Sequence, residues 1–118
     1  MKKIILHFLF LLILLAPTKV YTKETHKIKV ACIGNSITYG AFISNREKNN
    51  YPTQLQAYLG SEYEVRNFGV NGITTLTKGN IPYIKTHIYK EIFTYQPDIL
   101  LIKLGTNDAK AQNWKYKN

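Results

Sequence analysis

Cysteine and histidine are scarce in this 118-residue chain, and their scarcity excludes two kinds of site. Cys32 is the single cysteine, so no intrachain disulfide can form. It stands in an apolar stretch, which is typical of a small buried side chain rather than of a reactive thiol. The three histidines, His7, His26 and His87, are far apart, and no cysteine or histidine cluster has the spacing of zinc ligands. We therefore predict no metal and no cofactor.

Acidic residues are also few, so the formal net charge is +9. Lys2, Lys3 and Lys19 contribute to it from the amino-terminal segment, and the remaining excess is spread along the chain without a tight basic run. Such a charge suits acidic glycans or a membrane surface, and we expect no nucleic-acid partner. The chain is 45% hydrophobic and 13% aromatic, which is typical of a globular protein of one domain at most.

Residues 1–22 predict a secretory signal peptide. Lysines precede an apolar run over residues 4–16, which is too short for a comfortable membrane span and ends before Pro17. We expect a secreted or periplasmic protein whose mature chain begins near Lys23 and keeps no membrane span. The alternatives are a retained membrane anchor and a lipoprotein signal, and the lack of a cysteine just after the run argues against the second.

The rest of the chain alternates between strand and helix patterns. Strands are predicted at 28–33, 62–67 and 99–102, helices at 51–59 and 82–95, and an exposed polar loop at 41–50. The uninterrupted apolar run at 99–102 is typical of a strand covered on both faces. Right-handed crossovers make the three strands parallel and place the loops that follow them at one edge of the sheet.

A serine follows the first predicted strand directly. Ser36 therefore lies where open α/β sheets bind their ligands and is a candidate nucleophile. Acyl transfer by serine also needs hydrogen-bond donors for the oxyanion of the tetrahedral intermediate. The N–H groups of Ser36 and Gly72 and the side-chain amide of Asn107 can supply them from the same edge. Each residue alone has a plainer explanation, because Ser36 and Gly72 could serve only turns and Asn107 could cap a helix.

Three short blocks together resemble the SGNH (GDSL-like) hydrolases. Gly34-Asn35-Ser36-Ile37-Thr38 is similar to the first block of that family, with Asn35 in place of the usual aspartate. Residues 67–74, Asn-Phe-Gly-Val-Asn-Gly-Ile-Thr, resemble the second block, and residues 105–108, Gly-Thr-Asn-Asp, match the third. The resemblance extends from about Lys27 to the end of the chain.

The resemblance implies a role for each matched residue. Ser36 would be the nucleophile, and the oxyanion donors would be the Ser36 N–H, the Gly72 N–H and the Asn107 side chain. Asn35 would shape its turn by hydrogen bonding, as the usual aspartate does. Asp108 would fix its own loop rather than act as the acid of a catalytic triad.

The resemblance also implies a fold and an activity. The fold is flavodoxin-like, a three-layer α/β/α structure around a parallel sheet of order 2-1-3-4-5, to which residues 23–118 contribute the first three strands. The flanking residues look most like those of the sialate O-acetylesterase and carbohydrate acetylesterase members. We therefore expect a serine esterase that removes acetyl or other small acyl groups from a glycan or a small-molecule ester.

One part of the family machinery has no counterpart here. The family takes its general base from an Asp-x-x-His block, and no histidine follows Asn107. His87 falls inside the second predicted helix and is a poor candidate for the base. We therefore expect the amino-terminal portion of a longer esterase, nearly inactive alone, truncated after the third strand and marginally stable, with an open apolar edge.

Two hypotheses of other classes remain. The first is a carbohydrate-binding remnant without turnover. The second is a flavodoxin-like binding module, although the turn at Ser36 lacks a glycine-rich phosphate loop.

Overall fold

The computed structural model describes residues 26–115, so the predicted signal peptide lies outside the described residues. A parallel three-stranded sheet forms the centre, from β1 (Ile28–Gly34), β2 (Tyr63–Gly69) and β3 (Ile99–Lys103). Its order is β2-β1-β3, and both pairings of β1 are parallel. The predicted α/β fold with its central first strand is therefore confirmed.

Helices connect and flank the strands. They are α1 (Ser36–Tyr39), α2 (Arg46–Asn49), α3 (Tyr51–Leu59), α4 (His87–Tyr95) and α5 (Ala111–Trp114), with a 3-10 turn at Tyr83–Lys85. The helix predicted at 51–59 is present, because Asn50 caps it by accepting from the Thr53 N–H and Pro52 fits its first turn. The polar segment at 41–50 is largely exposed, as expected, but it contains α2.

The prediction for the second helix was wrong at its start. Residues 82–86 are not part of α4, because Thr86 has extended backbone and caps the helix by accepting from the Tyr89 N–H. His87 is consequently the first residue of α4 rather than an interior one.

The main core lies between the sheet and α4. Alternate residues of β1, Ala31 and Ile33, pack there with Phe68 of β2 and with Ile92 and Tyr95 of α4. The intervening residue Cys32 points to the opposite face, where it contacts Tyr51 of α3 and is fully buried as predicted. Burial raises the pKa of the Cys32 thiol, and a hydrogen bond from Tyr51 opposes this with a smaller effect. The thiol therefore stays protonated at neutral pH.

The third strand differs from the expectation that both its faces are covered. All five residues of β3 are exposed within the described part of the chain, and Ile102 retains 63% of its accessible surface. An apolar groove of about 420 Å³ separates β3 from α4. The apolar run formed a strand as predicted, but among residues 26–115 only β1 pairs with it, which leaves the other edge open. No helix among the described residues is long and apolar enough to cross a membrane.

Candidate active site

Ser36 is held at the junction of β1 and α1. The strand ends at Gly34, and the buried Asn35 caps the helix by accepting from the Ile37 N–H at 3.1 Å. Ser36 is the first residue of α1, and its carbonyl oxygen accepts from the N–H groups of Gly40 and Ala41 at 3.0 and 2.9 Å. The side chain of Ser36 is partly exposed, so a substrate can reach it.

Two glycines let α1 lie directly on the ends of the strands. A Cβ on Gly34 would overlap the side chain of Thr38, and a Cβ on Gly69 would overlap the backbone of Thr38 and Tyr39. The close approach also joins the first turn to the loop after β2, since the Val70 N–H donates to the Gly34 carbonyl oxygen at 2.9 Å. The backbone itself therefore sets the position of the Ser36 turn.

A partly buried amide network centred on Asn67 supports this junction. Asn67 Nδ2 donates to the Thr38 carbonyl oxygen at 2.8 Å and to Asn50 Oδ1 at 3.3 Å. Asn67 Oδ1 accepts from the Gly69 N–H at 2.9 Å. Asn67 belongs to the second block, but no separate role was predicted for it. The role could have been predicted from the residue type and position, because an asparagine at the end of a strand often bonds to the backbone of the adjoining turn.

Gly72 lies in the loop after β2 with a φ of +74°, in the left-handed region that favours glycine. The residues that follow fix the loop, because Ile73 and Thr74 are fully buried and the Thr74 N–H donates to the Ile81 carbonyl oxygen at 2.8 Å. Within residues 26–115 no hydrogen bond uses the N–H of Gly72 or of Ser36. Both groups can therefore donate to a ligand.

The turn after β3 is bound to this same loop. The side chain of Asn107 is buried, and its Nδ2 donates to the Ile73 carbonyl oxygen at 2.9 Å. One hydrogen of the amide is thereby used, and the second remains for another acceptor. Asp108 Oδ1 accepts from the Thr75 N–H at 2.8 Å, the Thr75 hydroxyl at 2.6 Å and the Leu76 N–H at 2.8 Å. The three loops at this edge of the sheet are thus hydrogen-bonded in sequence.

Asp108 carries a charge in this buried position. Burial alone would raise the pKa of its carboxyl group, but the hydrogen bonds from Thr75 and Leu76 outweigh that effect and leave the pKa below its ordinary value. The carboxylate is therefore ionised at neutral pH. Its other oxygen, Oδ2, is buried and has no hydrogen-bond partner among the described residues. The contacts of Asp108 are with the loop backbone and Thr75, rather than with a histidine.

Asn113 of α5 is a supporting residue that the sequence analysis missed. Only 1% of its surface is exposed. Its Nδ2 donates to the Asn107 carbonyl oxygen at 2.9 Å, and its Oδ1 accepts from the Asn80 N–H at 2.8 Å. It therefore joins the turn after β3 to the far end of the loop. Nothing in the polar composition of the tail distinguished Asn113 from its neighbours.

The two described histidines are not hydrogen-bonded to Ser36. His26 lies before β1, at the opposite end of that strand from the serine, with its Nε2 3.9 Å from Asp98. His87 is exposed at the start of α4, with its Nε2 3.8 Å from Glu91. Within residues 26–115 the edge thus combines a serine with N–H and amide groups that can still donate, and neither described histidine is hydrogen-bonded to that serine.

Comparisons with known proteins assign this arrangement to a family. The GDSL-like Lipase/Acylhydrolase family profile matches residues 32–117, which include all three blocks. An acetylxylan esterase of Xylanibacter ruminicola is 53% identical over 89 residues, which cover 75% of this chain. The match covers 18% of that relative, so the chain spans less than a fifth of its length. No solved structure gives a significant match. The chain belongs to the GDSL-like lipase/acylhydrolase family.

Proposed function

We propose that this chain provides the nucleophile and the oxyanion donors of a serine esterase that removes acetyl groups from a carbohydrate, with acetylated xylan as the first candidate substrate. The observation that carries the proposal is the pair of side chains, Asn107 and Asp108, bonded to the loop that contains Gly72. This bonding fixes the loop that carries the Gly72 N–H, and the Val70 N–H ties the start of the same loop to Gly34, two residues before Ser36. The similarity to an acetylxylan esterase supports the choice of substrate.

The proposed reaction follows from the chemistry of these groups. Ser36 Oγ attacks the acetyl carbonyl carbon while a general base takes the hydroxyl proton. The N–H groups of Ser36 and Gly72 and the second amide hydrogen of Asn107 stabilise the resulting oxyanion. One well-aimed donor is worth about 3 kcal/mol in the transition state. The bond between the acetyl carbon and the sugar oxygen then breaks, that oxygen takes the proton from the general base, and water hydrolyses the acetyl-Ser36 ester to release acetate.

The general base is assigned by family resemblance alone. The Asp-x-x-His block of the family would supply it, and neither His26 nor His87 is hydrogen-bonded to Ser36. We also propose that the protein is secreted or periplasmic, on the basis of the predicted signal peptide at residues 1–22. Its partner would be an acylated glycan or a small ester, with sialate esters as an alternative to xylan.

Acetate release from acetylated xylan tests the proposal. The protein would be purified from its natural source and compared with recombinant full-length protein carrying Ser36→Ala. We expect the native protein to release acetate and Ser36→Ala to lose activity by about 1,000-fold or more, because the nucleophile is removed. Ser44→Ala is the matched control, since Ser44 is an exposed serine in the next loop. Equal activity of Ser36→Ala and the native protein would contradict the proposal.

A glycan-binding protein without turnover is the second candidate. It is favoured by the lack of any described histidine bonded to Ser36. The same preparations would be titrated with xylo-oligosaccharides by calorimetry and assayed with O-acetylated sialic acid. Binding without acetate release supports this second candidate, and release from the sialic acid ester but not from xylan identifies the substrate as a sialate ester.

A further inference from the structure

Phe42 is the most exposed of the large apolar residues in the described chain. Its relative accessibility is 106%, so the ring makes no contribution to the core. Its φ is +65°, a left-handed conformation that bulky side chains rarely adopt. The backbone of Phe42 is therefore strained although its side chain is fully exposed and does not pack against the core. Strain of this kind is concentrated at ligand contacts and active sites.

The loop that carries Phe42 is anchored beside Ser36. On one side of Phe42, the Ala41 N–H donates to the Ser36 carbonyl oxygen at 2.9 Å, and on the other side the Ile43 N–H donates to the Gly40 carbonyl oxygen at 3.3 Å. Phe42 is thus one residue away from a group bonded directly to the candidate nucleophile.

A second contact holds the base of this loop. The Arg46 guanidinium donates to the Tyr39 carbonyl oxygen at 3.1 Å and lies 4.1 Å from the centre of the Tyr39 ring. Arg46 also forms an ion pair with Glu47. The segment after α1 is therefore fixed at both ends, and Phe42 projects from an ordered loop.

Two further apolar side chains are exposed near the same serine. Ile37 and Ile43 are 48% and 41% exposed, and with Phe42 they form what we call the apolar rim. Single exposed apolar residues are common on protein surfaces. All three follow Ser36 within seven positions of the sequence, and exposed apolar residues that cluster beside polar groups mark binding surfaces.

We propose that Phe42 is a sugar subsite, in which its ring stacks on the apolar C–H face of a pyranose unit while Ser36 attacks the ester on that chain. The inference rests on the proposed function and adds the residue that selects for a glycan. The electron-rich face of an aromatic ring attracts polarised C–H groups, and the ring offers this face without any charge on the sugar. An uncharged polysaccharide such as xylan fits this chemistry.

The test compares a polymer with a small ester. Full-length protein carrying Phe42→Ala, Phe42→Leu or Phe42→Trp is assayed for kcat/KM on acetylated xylan and on p-nitrophenyl acetate. We expect Phe42→Ala to lower the ratio of the two values about 5-fold, within the range of a lost aromatic contact. Phe42→Trp should restore the ratio and Phe42→Leu should not, because leucine is apolar but has no ring. Tyr58→Ala, which removes another exposed aromatic ring on α3, is the matched control.

Each other result contradicts the proposal. An unchanged ratio in Phe42→Ala means that the ring does not contact the sugar. Equal restoration by leucine and tryptophan means that only apolar bulk is needed. A lower melting temperature or a smaller oligomer in Phe42→Ala means that another segment or a second copy covers the ring.

A binding measurement separates this inference from the proposed function. If neither the native protein nor Ser36→Ala hydrolyses any ester, the proposed activity fails, and xylo-oligosaccharide titration then tests the subsite directly. Weaker binding by Phe42→Ala than by Tyr58→Ala supports the subsite, and equal binding overturns it.

Discussion

Replacing Asp108 by alanine should release the loop after β2 from the turn after β3. A single carboxylate oxygen accepts three hydrogen bonds there, from the Thr75 N–H, the Thr75 hydroxyl and the Leu76 N–H, at 2.6 to 2.8 Å. Hydrogen bonds to charged groups contribute about 1.5–3 kcal/mol each. Because Thr75 is exposed, water replaces part of what is lost. We expect the free energy of unfolding to fall by about 2–4 kcal/mol.

Urea denaturation followed by circular dichroism measures this change. Asp108→Asn keeps an acceptor oxygen but no charge, so its loss should be about half as large, or about 1–2 kcal/mol. Asp98→Ala is the matched control, because that carboxylate accepts a backbone hydrogen bond from Lys29 at 2.8 Å but is 47% exposed. It should cost less than about 1 kcal/mol. Similar decreases in the free energy of unfolding for Asp108→Ala and Asp98→Ala would refute the argument that burial strengthens the contribution of the Asp108 hydrogen bonds.

The pH dependence gives a second test of the same contact. The folded chain holds the pKa of Asp108 below its ordinary value of 3.8, so the unfolded chain binds the proton more readily. The stability that this carboxylate contributes is therefore present above the unfolded pKa and is lost as the pH falls through the folded pKa. The difference in unfolding free energy between the native protein and Asp108→Asn should stay constant from pH 7 to about pH 5 and shrink below about pH 4. A difference that grows in acid would show that the sign is wrong.

Two further substitutions test the backbone geometry around the site, both by thermal and urea unfolding. Gly69→Ala places a Cβ against the backbone of Thr38 and Tyr39, which cannot move aside as a side chain could, so we expect a loss of about 3 kcal/mol or more. A loss below about 1 kcal/mol in Gly69→Ala would contradict the steric explanation. Gln96→Gly relieves a left-handed residue with φ of +52° at the end of α4 and should raise stability by about 0.5–1 kcal/mol, whereas a decrease would show that the glutamine side chain matters.

The features that sequence predicted well have local causes. A short β-branched run ending in glycine predicted β1, and helical spacing predicted α3, whose start the structure explains by the Asn50 cap and by Pro52 in the first turn. The order of elements and the right-handed crossover then determined a parallel sheet. The start of α4 could also have been predicted, because Thr86 is a good capping residue. The apolar spacing that continues from Pro82 led instead to a start five residues too early.

The features that sequence did not predict depend on contacts between distant residues. Asp108 and Thr75 are 33 positions apart, and they meet because the burial of Ile73 determines the path of a loop without periodicity. Asn113 is equally far from Asn80, its partner in that loop. The apolar run of β3 predicted a strand, but an apolar run carries no information about what covers it. The roles of Ser36, Gly72 and Asn107 in catalysis stay predictions.

The close contact of α1 with Gly34 and Gly69 has a consequence for how substrate preference can diverge. At Gly69 the main chain touches the main chain of Thr38 and Tyr39, so substitutions elsewhere have no intermediate side chain there through which to shift α1. The position of Ser36, the first residue of α1, should therefore change little when the surrounding sequence changes. The segment at 41–45, by contrast, is tethered by backbone hydrogen bonds and exposed over residues 42–45, so packing against the core does not restrict those four side chains. If Ser36 is the nucleophile, as proposed, changes in specificity should accumulate in this segment while the position of Ser36 stays constant.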